Sequence, residues 1–221
     1  MGRAFVLAVL AVLAVVLLAG CTANFRAAAV PEDLLSRHGW KPDASISDPA
    51  PRSEAPGHAT QTLAYVDDGA RGGYPASLSL TTIQTTLTLS LPDLRDRVRE
   101  RIRERAAELG VRFDPAEEQG ERTRAAGERT LYVLLQGKVE SSGALFTARD
   151  ATVRILGEVW TCGGASVVAV ALAQVDSATR VGGVPVTRDP DDRNWRDIVQ
   201  DPSGSIHGAR GDAGLVHRAR C

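Results

Sequence analysis

The chain has 221 residues, with 26 Lys and Arg against 27 Asp and Glu and a formal net charge of −1. That balance leaves no cationic footprint for nucleic acid and no long single-sign block for binding polyanions. Three cysteines and four histidines limit metal and nucleophile chemistry to a few positions.

The N-terminus reads in three parts: Arg3 gives positive charge, Ala4 to Leu17 is an unbroken apolar run, and Leu18-Ala19-Gly20-Cys21 follows. A charged start, an apolar middle and small residues at a cut make a secretory signal. With Cys directly after Ala-Gly, the motif resembles the lipobox of prokaryotic lipoproteins. The resemblance covers residues 1–21. It implies cleavage before Cys21, a diacylglycerol on the Cys21 thiol, and a protein held by lipid on the extracytoplasmic face of the cell membrane. The alternatives are an ordinary cleaved signal and an uncleaved anchor. Ala4 to Gly20 is at the short limit for ~30 Å of hydrocarbon, with no aromatic belt and no positive cluster after it. The motif is an address and carries no activity.

With Cys21 assigned to lipid by this resemblance, Cys162 and Cys221 remain as an even pair on an oxidising side of the membrane, and a disulfide is the simplest assignment. Two cysteines so far apart are not a zinc signature. His38, His58, His207 and His217 form no His-x-x-x-His or His-Glu-x-x-His pattern and read as solvated loop histidines.

Residues 21–59 are read as a lipid-anchored N-terminal segment and linker, and residues 60–221 as one domain. Within the segment, Pro31-Glu32-Asp33-Leu34-Leu35 followed by His38-Gly39-Trp40 predicts one or two helical turns, with Trp40 docked on the domain. Pro42 to Gly57 reads as the linker, holding the domain away from the membrane.

Thr60 to Val66 predicts the first strand and Ser77 to Leu89 the second, with a bulge or break at Thr82-Ile83 where the apolar alternation slips. Ser90, Pro92 and Asp93 open a helix in capping-box spacing. Leu91, Leu94, Val98, Ile102, Ala106 and Leu109 make its single apolar stripe, and Gly110 ends it. Arg95, Arg97, Arg99, Arg101, Arg103 and Arg105 tempt a polyanion reading. Asp93, Asp96, Glu100, Glu104 and Glu108 almost neutralise them, and pairs such as Arg97–Glu100 and Glu100–Arg103 favour a solvated, salt-laced face.

Asp114 to Glu128 reads as a polar loop. Strands follow at Thr130 to Glu140, Ala151 to Cys162 and Ala165 to Val175, the last two joined by a Gly163-Gly164 hairpin. In that register Val159 opposes Val168, Gly157 opposes Val170 and Ile155 opposes Leu172, an apolar face suited to the helix stripe. Trp160, Leu156, Glu158 and Arg154 face the other way, beside small residues, so a cover is expected from the chain after Asp176. Residues 177–221 read as irregular, apart from a short helix at Asn194–Val199. Closing the loop between Cys162 and Cys221 would hold this tail down.

The fold expected is α+β, a single antiparallel sheet of about five strands with one amphipathic helix packed on one face. No catalytic set, cofactor site or metal site is assigned. Asp189, Asp191 and Asp192 lack the glycine and distal Glu of a calcium loop, and Arg210-Gly211-Asp212 is a chance-level adhesive tripeptide. Two function classes stay open. One is a non-catalytic envelope lipoprotein that binds or scaffolds a partner, an envelope protein or a ligand. The other is a membrane-tethered hydrolase using groups such as His207, His217 and the Asp189–Asp192 cluster.

Overall fold

The computed structural model describes residues 25–55, 57–69, 74–86, 89–140, 151–181, 184–188, 193–199 and 214–221. In chain order these form α1 (Glu32–His38), β1 (Lys41–Pro42), β2 (Arg52–Ala55), β3 (His58–Asp67), β4 (Ala76–Gln84), α2 (Leu91–Glu108), β5 (Val111–Thr123), β6 (Arg129–Val139), β7 (Thr152–Cys162), β8 (Ala165–Gln174), β9 (Ser177–Val181), β10 (Val184–Arg188), α3 (Arg193–Val199) and α4 (Leu215–Arg218).

The class is α+β, and the sheet is larger than the five strands expected. Eight strands join in one open antiparallel sheet in the order β1-β3-β4-β8-β7-β6-β5, with β2 also paired to β3, and β9 and β10 form a separate two-stranded sheet. The undercount has two sources. Val111–Thr123 was expected to be mostly loop because charge interrupts its apolar pattern, yet it is a 13-residue strand with a register shift between Phe113 and Glu117. It is the sheet's outer strand, where charge and a bulge discourage pairing with other chains. Of Pro42 to Gly57, expected as a linker, residues 42–55 instead lie along β3. Arg52 and Ala55 pair with Thr60 and His58, and the Asp48 carboxylate accepts the Thr62 N–H at 2.9 Å.

The β7–β8 hairpin has the expected register, from Cys162 opposite Ala165 to Ile155 opposite Leu172. Gly163 and Gly164 both have positive φ, 57° and 85°, the backbone a two-residue turn of this hand requires. No bulge interrupts β4. It pairs in continuous register with β3 and β8, which puts Thr82 on a buried face and Ile83 on the other. The apolar alternation slips there because the Thr82 hydroxyl serves the second layer, accepting the Ala28 N–H at 2.8 Å.

α2 buries Leu94, Val98, Ile102 and Ala106. Ser90 occupies the N-cap position, but its side chain makes no capping bond. A Cβ on Gly157 would lie 2.9 Å from Ile102 Cδ1 and 2.9 Å from Val98 Cγ1, so the bare backbone at Gly157 admits the helix. The stripe packs with Val133, Leu135, Val153, Ile155 and Val159 in one core. On the exposed side the ion pairs differ from those expected: Arg101–Glu104 and Arg105–Glu108 lie along the helix, while Arg99 and Arg103 both reach Glu117 on β5 at 3.2 and 2.7 Å. Burial would raise the Glu117 carboxyl, but hydrogen bonds from Arg103 and Arg99 outweigh it and hold it below the usual range. Ile102→Ala is therefore expected to cost roughly 2–5 kcal/mol in a urea melt. Arg101→Ala, at a site 83% exposed, should leave the midpoint nearly unchanged. Equal losses would mean the stripe is not the buried face.

The opposite face carries the second core. Leu78, Leu80, Tyr132, Leu156, Trp160 and Ala169, Ala171 and Ala173 of β8 are covered from two directions. The C-terminal helices supply Trp195, Ile198, Val199, Leu215 and Val216. The N-terminal segment adds Ala28, Val30, Leu34, Leu35 and the docked Trp40, so the cover expected from the chain after Asp176 is shared with the segment that precedes the domain.

Candidate functional site

The N-terminal segment and the last residues meet at the hairpin end of the sheet. Ala29 and Arg220 exchange backbone hydrogen bonds of 2.7 and 2.8 Å, and the Val30 N–H donates to the Tyr65 hydroxyl at 3.1 Å. Beside this bridge, Cys162 and Cys221 are joined as a disulfide with Cα atoms 6.3 Å apart, within the spacing that bonding allows. Phe25, Arg26, Gln84, Gly163 and Ala165 surround the disulfide and line a cavity of about 250 Å³. Cys21 itself lies outside the described residues. Phe25 follows it by four positions, a reach of at most about 14 Å.

Deeper on the same face lies a closed cluster of charge. Arg122 holds Glu158 through both guanidinium and carboxylate ends, Nε to Oε1 at 3.1 Å and Nη2 to Oε2, with Arg122 9% and Glu158 0% exposed. Glu158 Oε1 also accepts the Thr130 hydroxyl at 3.0 Å. Arg124 stacks over Trp160, 3.8 Å from the ring centre, and its Nη2 donates to the carbonyls of Val216 and Ala219. Burial lowers the Arg124 guanidinium below its ordinary value, while Glu158 and Glu128 oppose that shift. Tyr132, buried beside Glu118, is pushed up to about 12 and stays protonated. His217 is buried under the cluster. Desolvation first, then the charge of Arg122, lowers its pKa, so near neutral pH it stays uncharged. Trp160 Nε1, Arg122 Nη1 and His217 Nδ1 have no hydrogen-bond partner among the described residues.

These contacts hold the tail down. Arg124 fixes the backbone of α4, and the disulfide fixes the last residue. A second polar clip joins the two covering segments: His38 Nδ1 lies 2.7 Å from Asp197 Oδ1, and Trp40 Nε1 donates to Asp197 Oδ2 at 3.4 Å. Burial raises the Asp197 carboxyl, and His38 works against that rise. A hydrogen-bonded His–carboxylate pair is the arrangement a hydrolase would use, but the one hydrogen bond described for His38 is this one. His38 and His217 are thus not the solvated loop residues expected: one is half-buried, the other buried.

Of the other residues weighed in the sequence, His58 is partly buried on β3. His207, Asp189, Asp191, Asp192 and Arg210-Gly211-Asp212 lie outside the described residues. Among the described residues, no group of three or more His, Cys, Asp or Glu is placed to hold a metal ion, and no helix is long and apolar enough to cross a membrane. A second, apolar cleft of about 100 Å³ opens between α2 and β7–β8, lined by Ile102, Ala106, Leu109, Val111, Ile155 and Leu172 among others. Among the described residues, neither cavity is lined by a histidine or an acidic side chain.

Sequence reasoning missed Arg122 and Arg124 because they were placed in a loop. One signal was present: Glu158 sits mid-strand in an otherwise apolar run, and a carboxylate there has to be paired. Arg26 and Gln84 carried no signal, since a cavity between distant segments is set by tertiary packing alone. No family model matches the chain, and no curated protein and no solved structure is significantly similar to it.

Proposed function

We propose that this protein is a lipid-anchored lipoprotein on the extracytoplasmic face of the cell membrane, with a non-catalytic binding or scaffolding role in the cell envelope. The observation that carries the reading is Leu18-Ala19-Gly20-Cys21 after an apolar run, followed seven residues on by the fully buried Ala28. An anchor at Cys21 is then tied closely to the domain, and the hairpin end, with its disulfide and cavity, is the end nearest the membrane. A tethered hydrolase is the weaker reading, because His38 is held by Asp197 between the covering segments and His217 is buried beneath the charged cluster.

Membrane fractionation tests the anchor. The wild-type chain is expected to partition into detergent, and Cys21→Ala to lose lipid attachment and leave the detergent phase. Unchanged partitioning of Cys21→Ala, with cleavage at the same place, would reject the reading.

A further inference from the structure

We infer that the cavity at the hairpin end binds the headgroup of a phospholipid whose free end donates a hydrogen bond, as ethanolamine or glycerol does and choline does not. This rests on the anchor proposed at Cys21, which places the cavity at the membrane.

Position is the first argument. Phe25 and Arg26, both on the cavity wall, follow Cys21 by four and five residues, a reach of at most about 14–18 Å. A lipid on Cys21 sits in one leaflet, so the cavity stays at the headgroup layer. Size is the second. At about 250 Å³ the cavity falls below the range typical of drug-sized ligands and suits a headgroup without its acyl chains.

Chemistry is the third. Arg26 is exposed at the cavity and brings a permanent cation whose planar fork matches a phosphate. Among the described residues no acidic side chain lines the cavity itself; the nearest carboxylate shown, Glu128, lies 4.0 Å from Cys162 Sγ and faces the Arg124 guanidinium at 3.7 Å. Gln84 Oε1 is buried and has no hydrogen-bond partner among the described residues. A buried acceptor left unpaired is costly, so this wall gains from a ligand that brings an N–H or O–H. Phe25, Ala165 and the disulfide supply apolar walls. A phosphate followed by a short chain ending in an ammonium or hydroxyl satisfies both polar groups. A quaternary ammonium satisfies Arg26 and leaves Gln84 Oε1 bare, and a site with a dry acceptor rejects the ligand lacking the donor.

Calorimetric titration of the full lipidated protein in a phosphate-free detergent tests this, using glycerophosphoethanolamine, glycerophosphoglycerol, glycerophosphocholine and inorganic phosphate as probes. The ethanolamine and glycerol esters are expected to bind at least about tenfold tighter than the choline ester. Arg26→Gln should weaken all the phosphate probes. Gln84→Leu should erase the preference over choline while circular dichroism stays native. Equal binding of the choline and ethanolamine esters by the wild type would overturn the inference, as would inorganic phosphate binding as tightly as the esters, or indifference to Arg26→Gln. These probes dissolve in water and bind whether or not Cys21 carries lipid. Failed binding by a chain whose mass shows lipid on Cys21 therefore rejects the headgroup site alone. Binding by a chain without that lipid rejects the anchor alone.

Discussion

Glu158→Ala is expected to destabilise the domain by about 3–5 kcal/mol, because it strands buried guanidinium charge. Glu158 lies fully buried on β7, a central strand, and answers both Arg122 and the Thr130 hydroxyl. Removing it leaves Arg122, 9% exposed, without its carboxylate, and removes the charge that steadies Arg124 over Trp160. The control is the pair Arg129–Glu121, which has the same two-pronged geometry at 2.6 and 2.7 Å but is 67% and 50% exposed. Glu121→Ala should leave the denaturation midpoint almost unmoved, since water replaces the lost partner. Urea melts of both variants decide the matter, and similar shifts would mean that the Glu158 cluster is hydrated. Loss of Glu158 should also loosen α4, whose carbonyls hold Arg124, and raise hydrogen exchange at residues 215–219.

Cutting the disulfide is expected to cost about 4 kcal/mol, the loop-closure contribution for a sequence separation of 59 residues. Cys221→Ser and Cys162→Ser should lower the urea midpoint equally, and reductant should lower the wild type to the same value while leaving either variant unchanged. The tail should loosen with it, because Ala29–Arg220 pairing and the Arg124 contacts then hold it alone. A wild-type midpoint indifferent to reductant would show that the bond is not formed or adds nothing.

The central hairpin and α2 were legible in the sequence because their patterns are local. Two glycines set the β7–β8 turn, register then follows residue by residue, and a stripe stepping by three or four names the buried side of the helix. The edges were not legible. β5 and the strands along β3 have one neighbour or none on their outer side, so charge and proline are tolerated there, and the period-two signal that marks a half-buried strand is absent. Thr82 shows a third kind of failure. Its polarity suggested a break in β4, when it answers a backbone N–H from Ala28, 54 residues away. The charged cluster was hidden likewise, since Arg122 answers Glu158 on another strand and Arg124 answers the carbonyls of Val216 and Ala219, more than 90 residues away.

Cys21 is the residue on which the proposed membrane anchor depends. Intact-mass analysis of the protein extracted from membranes tests it directly, with fragmentation from the N-terminus. The expected chain begins at Cys21 and carries a diacylglycerol on that residue, with Cys162 and Cys221 two hydrogens short of free thiols. A chain that keeps residues 1–20, or begins elsewhere, or shows an unmodified Cys21, would contradict the anchor.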